Sequence, residues 1–439
     1  MNPLSARITI GALGLISALS SVAEDAYENA PIHYSKSRPN DAAQQLEQAQ
    51  ISGKVKISRG DDWTVLRQLL KQFDIPFESQ VMVFSKTSKQ NDRISPETPR
   101  VVYFGDNAYV GYCLGGALEV SVIDPKLGPI FYLADPQVPK EEPIRFQRDE
   151  SCLSCHGGPF SPEVPGVIVR SVFPSAEGHP ITSQGSTVVD TTTPFVDRWG
   201  GWYVTGKHGQ SVHRGNVVAR ETVGGVDMDV KAGANAASVE RFFDAAAYPR
   251  KTSDIVALMV LEHQSSTQNA LTKANHAALR AMHMQQSLQK ELGEPIEKHP
   301  TGTARRIIDH AAEDVLDALL FKDEAALPEG GIEGDPTFQQ AFAKNARQTS
   351  DGRSLKDFQL LTRLFKYRCS YMVHSLTFTH LTPPLKETVL AGLWKALQDE
   401  DPAGRYAYLG ASEKKHIQKI LIETLIDAPP EWKSGLTAR

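Results

Sequence analysis

The sequence predicts an α+β fold, with a β-rich N-terminal half and a helical C-terminal half. Three observations carry this. Between residues 80 and 133, short apolar runs alternate with period two between Gly, Asn and Asp turns. From about residue 236, apolar positions recur every three or four residues. The stretch GGVDMDVKAGANA, between Gly224 and Ala236, separates the two regimes. The expected organisation is therefore a processing segment at 1–23, a β-rich region at 24–230 and a helical region at 231–439.

Element by element, residues 24–50 are polar and hold one short helix at about 41–50. A second helix follows over 61–73. Asp61 or Asp62 caps it, Val65, Leu66, Leu69, Leu70 and Phe73 line one face, and Pro76 ends it. Strands are expected at 80–84, 101–104, 108–113, 117–123 and 129–133, as an antiparallel meander. Two more strands are expected at 166–173 and 200–204. One or two long helices should cover 253–292. Further helices should lie at 303–320, 337–345, 355–376, 385–398 and 412–426.

The N-terminus has the pattern of a secretory signal. Arg7 is the only charge before Glu24, ITIGALGLISAL is a short apolar core, and Ser21-Val22-Ala23 offers small residues for cleavage after Ala23. That core is too short to cross a hydrocarbon layer of ~30 Å as a helix. No later apolar run is long enough either, so the mature chain is expected to be periplasmic, without a transmembrane segment. Net charge is −5, with no basic run, which argues against nucleic acid as a partner.

The chain has four cysteines. Two of them lie in ESCLSCHGGPF, followed directly by a histidine. Zinc would need further ligands at regular spacing, yet Cys113 and Cys369 are isolated. A redox dithiol would open a helix within a βαβ pattern, which is absent here. In an exported protein, C-x-x-C-H is the pattern of covalent haem attachment. One haem c is expected, with Cys152 and Cys155 forming thioethers and His156 as the proximal iron ligand.

The sixth iron position is open to several readings. His213 and His208 lie in the Gly- and aromatic-rich segment after Trp199 and Trp202, and His263 lies on an apolar helix. The order of preference is His213, His208, His263, then Met259 or Met372, with a vacant position as the remaining alternative. His276, His283, His310 and His416 read as structural or solvated residues. Arg170 and Arg198 are candidates to meet haem propionates, or else are solvated. Cys113 and Cys369 form a disulfide or are buried thiols. Asp227 and Asp229 would share a strand face or sit in a solvated loop. No GxSxG, HExxH or phosphate-binding loop is present.

The runs IPFESQVMVFSKTS, VIDPKLGPIFY, CLSCH, VPGVIVRSVFP, PFVDRWGGWYVTGKHG and HRGN resemble a family of large exported bacterial proteins that contain a cytochrome c domain. The resemblance covers about residues 31–394. It implies one covalent haem at Cys152, Cys155 and His156, and no particular substrate. Members of that family often read HMGN where this chain has His213-Arg214-Gly215-Asn216, so Arg214 removes a methionine here.

Two functions follow. One is electron transfer with a periplasmic donor or acceptor protein. The other is a haem oxidoreductase, for instance peroxidase-like, or a haem-based sensor with an open distal site. A structural haem in a binding protein is a third. A plain small helical cytochrome c needs only about a hundred residues, far fewer than the 439 present.

Overall fold

The computed structural model describes residues 25–139, 141–161, 163–398 and 403–437. The expected signal peptide lies outside them. Two helices come first. In α1 (Ala42–Ile51) the Asp41 carboxylate accepts from the N–H groups of Ala43 and Gln44, each at 3.0 Å. In α2 (Asp62–Gln72) Asp61 caps through Thr64 N–H at 2.8 Å, while Asp62 accepts from the Tyr112 hydroxyl.

The meander follows as β1 (Val81–Val83), β2 (Arg100–Gly105), β3 (Ala108–Tyr112), β4 (Leu118–Asp124), β5 (Gly128–Ala134) and β6 (Gln147–Arg148). One short helix, α3 (Leu153–His156), carries the cysteine motif. Then come the pair β7 (Arg170–Ser171) and β8 (Thr187–Val188), the strand β9 (Trp202–Tyr203), and the exposed hairpin β10 (Arg220–Thr222) and β11 (Gly225–Asp227). The main sheet has seven antiparallel strands in the order β6-β5-β4-β3-β2-β1-β9.

Alternation sorts the sheet side chains onto two faces. Met82, Tyr103, Val110, Val120 and Tyr132 pack on the side of α1 and α2. Val81, Val83, Phe104, Tyr109 and Ile123 pack on the other side, against α4 (Ile255–Leu292). That helix starts at Asp254, whose carboxylate accepts from Ala257 N–H at 2.9 Å. It is buried at nearly every position through Ala278, so it runs through the core rather than along its surface. Around it pack α5 (Gly302–Leu319), α6 (Pro336–Lys344), the short α7 (Leu376–Thr379) and α8 (Pro383–Gln398). α9 (Ala411–Thr424) packs on α8, and α10 (Pro430–Thr437) closes the described chain. The larger apolar cluster joins sheet residues to α4, α5 and α8, and so crosses residue 230.

Three expectations change. Only Arg170–Ser171 of the strand expected at 166–173 is extended, and only Trp202–Tyr203 of that at 200–204. Residues 355–376 are not one helix. Gln359 and Leu360 N–H bond back to Leu364 and Arg363 carbonyls, Leu360 has φ 56°, and Phe358 bridges Phe365 as in a hairpin. The rings of Phe358 and Phe365 stack at 5.5 Å and pack with Phe342, a cluster that a helix through this segment would pull apart. The third change is α10, which the apolar spacing did not mark.

Candidate functional site

The cysteine motif faces a cavity of about 610 Å³, a size typical of cofactor sites. Its floor is the α4-side face of the sheet. The register places Tyr109, Ser121 and Phe131 in one cross-strand row and Val102, Gly111, Glu119 and Leu133 in the next. Val169, Arg170 and Trp202 form one wall, and Leu261 reaches in from α4.

α3 brings the motif to this wall. A 3-10 turn at Glu150–Cys152 precedes it, started by Asp149, which accepts from Ser151 N–H at 3.0 Å. Helical spacing then puts Cys152, Cys155 and His156 on one side. Gly157 ends the helix. A Cβ there would lie 2.5 Å from the Tyr27 hydroxyl oxygen, so a glycine makes room for Tyr27. Cys152 is half-buried and Cys155 exposed, and both are free thiols. Burial pushes the Cys152 thiol up to about 11.

His156 is oriented firmly. Its Nδ1 lies 2.7 Å from the Gly166 carbonyl, which can only accept, so Nδ1 carries the proton. Its ring lies over Phe131 at 4.4 Å and 30°. Burial pushes the imidazole below its ordinary value, which favours the neutral ring. Nε2 is thereby left as a lone pair on the cavity wall.

The cavity has its own charges. Glu119 on the floor is paired with Arg100 and also receives the Ser88 hydroxyl and, at 3.0 Å, the Gln90 amide. Burial works against its charge, yet Arg100, Ser88 and Gln90 outweigh it and hold the carboxyl below the usual range. Arg170 stacks on Phe160 at 3.8 Å, and its buried Nε has no partner. No carboxylate among the described residues pairs with it. Arg198 is different: it bonds Glu262 at 2.6 Å and the Thr193 carbonyl at 2.9 Å, away from the cavity. Of the two arginines, Arg170 is the one available to an anionic ligand.

The candidates for the sixth position lie elsewhere. His213 is 1% exposed, accepts from Gly215 N–H at 3.0 Å through Nδ1, and packs edge-on against Trp199 at 5.0 Å. Its Nε2 is buried without a partner. His208 uses both ring nitrogens, on Ser211 O and Asn235 N–H. His263 bonds Ser370 and stacks on Phe321. Met259 and Met372 are core residues. None of the five lines the cavity, where His156 is the one histidine and no methionine occurs among the described residues.

Cys113 and Cys369 are buried free thiols, and do not pair with each other. Asp227 forms an exposed ion pair with Arg220, and Asp229 lies past the end of the strand. No group of three or more His, Cys, Asp or Glu is placed to hold a metal ion among the described residues. Arg100 and Glu119 escaped the reading of the sequence. A charged residue between Leu118 and Val120 of an apolar strand was the one signal for Glu119. No protein-family model, curated protein or solved structure matches this chain.

The motif residues fit a covalently held haem. Two thiols and an imidazole with an open Nε2 share one wall of a cavity with an apolar, aromatic lining. The unpartnered Arg170 suits a carboxylate at its edge.

Proposed function

We propose that the mature chain is an exported c-type haem protein, with one haem bonded to Cys152 and Cys155 and His156 as its proximal ligand. The observation that carries this reading is His156. Its Nδ1 is anchored on the Gly166 carbonyl at 2.7 Å and its Nε2 is free on the wall of a cavity of about 610 Å³. Bound there, haem supplies a redox-active iron. The residues supply the rest: His156 donates its lone pair, Phe131 and Val169 exclude water, and Arg170 offers a guanidinium to a propionate. In this reading the role is redox, most simply electron transfer with a periplasmic partner protein.

One observation favours a second reading. The cavity wall carries no second histidine and no methionine among the described residues. An iron held by His156 there would meet no second protein imidazole or thioether from the cavity lining, and could take an external ligand, as a haem oxidoreductase or haem-based sensor requires.

The test is expression in an exporting host with the haem-attachment machinery, followed by pyridine haemochrome analysis. Covalent haem that Cys152→Ala with Cys155→Ala abolishes is the expected result. Unaltered loading of that double variant overturns the proposal. Spectra of the purified protein then separate the two roles. A low-spin form inert to CO selects electron transfer, and a high-spin form that binds CO selects the open site.

A further inference from the structure

Helix α4, from the far half of the chain, reaches the cysteine loop through one side chain. Asn269 Oδ1 accepts from Val167 N–H at 3.0 Å, and Asn269 Nδ2 donates to the Val167 carbonyl at 2.7 Å. Val167 N–H and the Gly166 carbonyl belong to the same planar peptide group. That carbonyl accepts from His156 Nδ1, and Gly166 N–H donates to the His156 carbonyl at 2.7 Å. The amide of Asn269, the 166–167 peptide and the imidazole are therefore one chain of hydrogen bonds, Oδ1 to N–H, C=O to Nδ1–H. Such chains polarise cooperatively. The contact is also close: a Cβ on Gly166 would lie 2.8 Å from Asn269 Oδ1 and would collide with Ser161 Oγ.

We propose that Asn269 is a positioning residue for His156: it fixes the plane of the 166–167 peptide and strengthens the carbonyl that receives the Nδ1 proton. A stronger acceptor at Nδ1 makes the imidazole a better donor through Nε2. This favours the oxidised state of an iron held there and lowers its potential. The inference rests on the haem reading above for its effect on potential, but the positioning itself does not need the haem.

Three measurements test it. In the holoprotein, Asn269→Ala is expected to raise the midpoint potential and lower the iron–histidine stretching frequency in the reduced state. Asn269→Asp loses the donor to the Val167 carbonyl but keeps an acceptor for Val167 N–H and makes it charged, so it should move both in the opposite direction. In the haem-free double variant Cys152→Ala, Cys155→Ala, the His156 Nδ1 proton should be slow to exchange by NMR and become fast on adding Asn269→Ala. If Asn269→Ala does not fold, Asn269→Asp carries the same test. A potential and stretching frequency unchanged in either variant, with covalent haem present, overturns the inference alone. A wild-type protein without covalent haem sinks the haem reading, and the exchange measurement then decides the positioning by itself.

Discussion

Replacing Arg198 by methionine gives the sharpest test of how the sheet and helical halves are joined. Arg198 and Glu262 meet at 2.6 Å, with their side chains 3% and 0% exposed. Glu262 also receives the Trp199 indole N–H, so one carboxylate on α4 holds two residues of the segment that runs into β9. Burial raises Glu262 to about 7, against the opposing pull of Arg198 and Trp199. A carboxyl raised above its unfolded value stabilises the fold while protonated. That contribution is full below about 4.5 and is lost as the pH rises towards about 7. Removing Arg198 takes away the main attraction that favours the charged form, so the window extends upward. At pH 8 Glu262 is charged and paired in the parent protein, whereas in Arg198→Met it must hold a proton to avoid a buried, unpaired charge; about one pH unit above 7 this adds about 1.4 kcal/mol to the loss seen at pH 5, or about 1–2 °C in Tm for a chain this long. At pH 5 Glu262 is protonated in both proteins, and only hydrogen bonds to neutral groups are lost, about 1–2 kcal/mol. Urea titrations at the two pH values, followed by tryptophan fluorescence, measure the difference. Adding Glu262→Gln, which keeps an acceptor for Trp199, should recover most of the added loss at pH 8. Equal destabilisation at pH 5 and pH 8, or no recovery, refutes the reasoning.

Other outcomes follow from the same geometry. His213→Ala should destabilise the fold by about 2–4 kcal/mol, as a large-to-small core change does, yet leave the absorption spectrum of the holoprotein unchanged. A changed spin state would show that His213 reaches the iron after all. Gly111→Leu should cut haem loading severalfold, because a Cβ there already lies 3.3 Å from Glu119 Oε2 on the cavity floor; quantitative haemochrome assay of the variant measures it. In the haem-free protein, iodoacetamide at pH 8 should label exposed Cys155 first. Cys113, buried and pushed up to about 12, and Cys369, buried and raised further, should react only after unfolding. Peptide mass spectrometry reads this directly, and early labelling of Cys113 would contradict its burial.

The strands from Val81 to Ala134 were legible because short β-prone runs end at turn residues such as Gly105-Asp106-Asn107 and Gly115-Gly116, and their residues are buried on both faces of the sheet. α4 and α5 were legible from apolar residues recurring at helical period. Residues 355–376 misled because apolar spacing reports which side chains are buried, not the path of the backbone between them. There, contact of Phe358 and Phe365 with Phe342 selected a hairpin-like turn. The placement of the two histidines after Trp199 was not legible in the sequence either. His208 and His213 are near Trp199 and Trp202 in sequence, but alternation turns Trp202 towards the cavity and leaves His213 against Trp199.

By itself, the sequence determined the α+β class, the meander and the helix over 61–73 with its cap at Asp61 or Asp62, and it singled out CLSCH as the expected haem site. Each of these is local: a period, a cap or a spacing within a few residues. Only the tertiary structure decided that Glu119, Arg100 and Arg170 surround that motif. It alone showed that Arg198 is consumed by Glu262 and that Asn269 of α4 holds the peptide on which His156 rests. Those pairings join residues far apart along the chain, and sheet register and the burial of α4 set them, which no short window of sequence records.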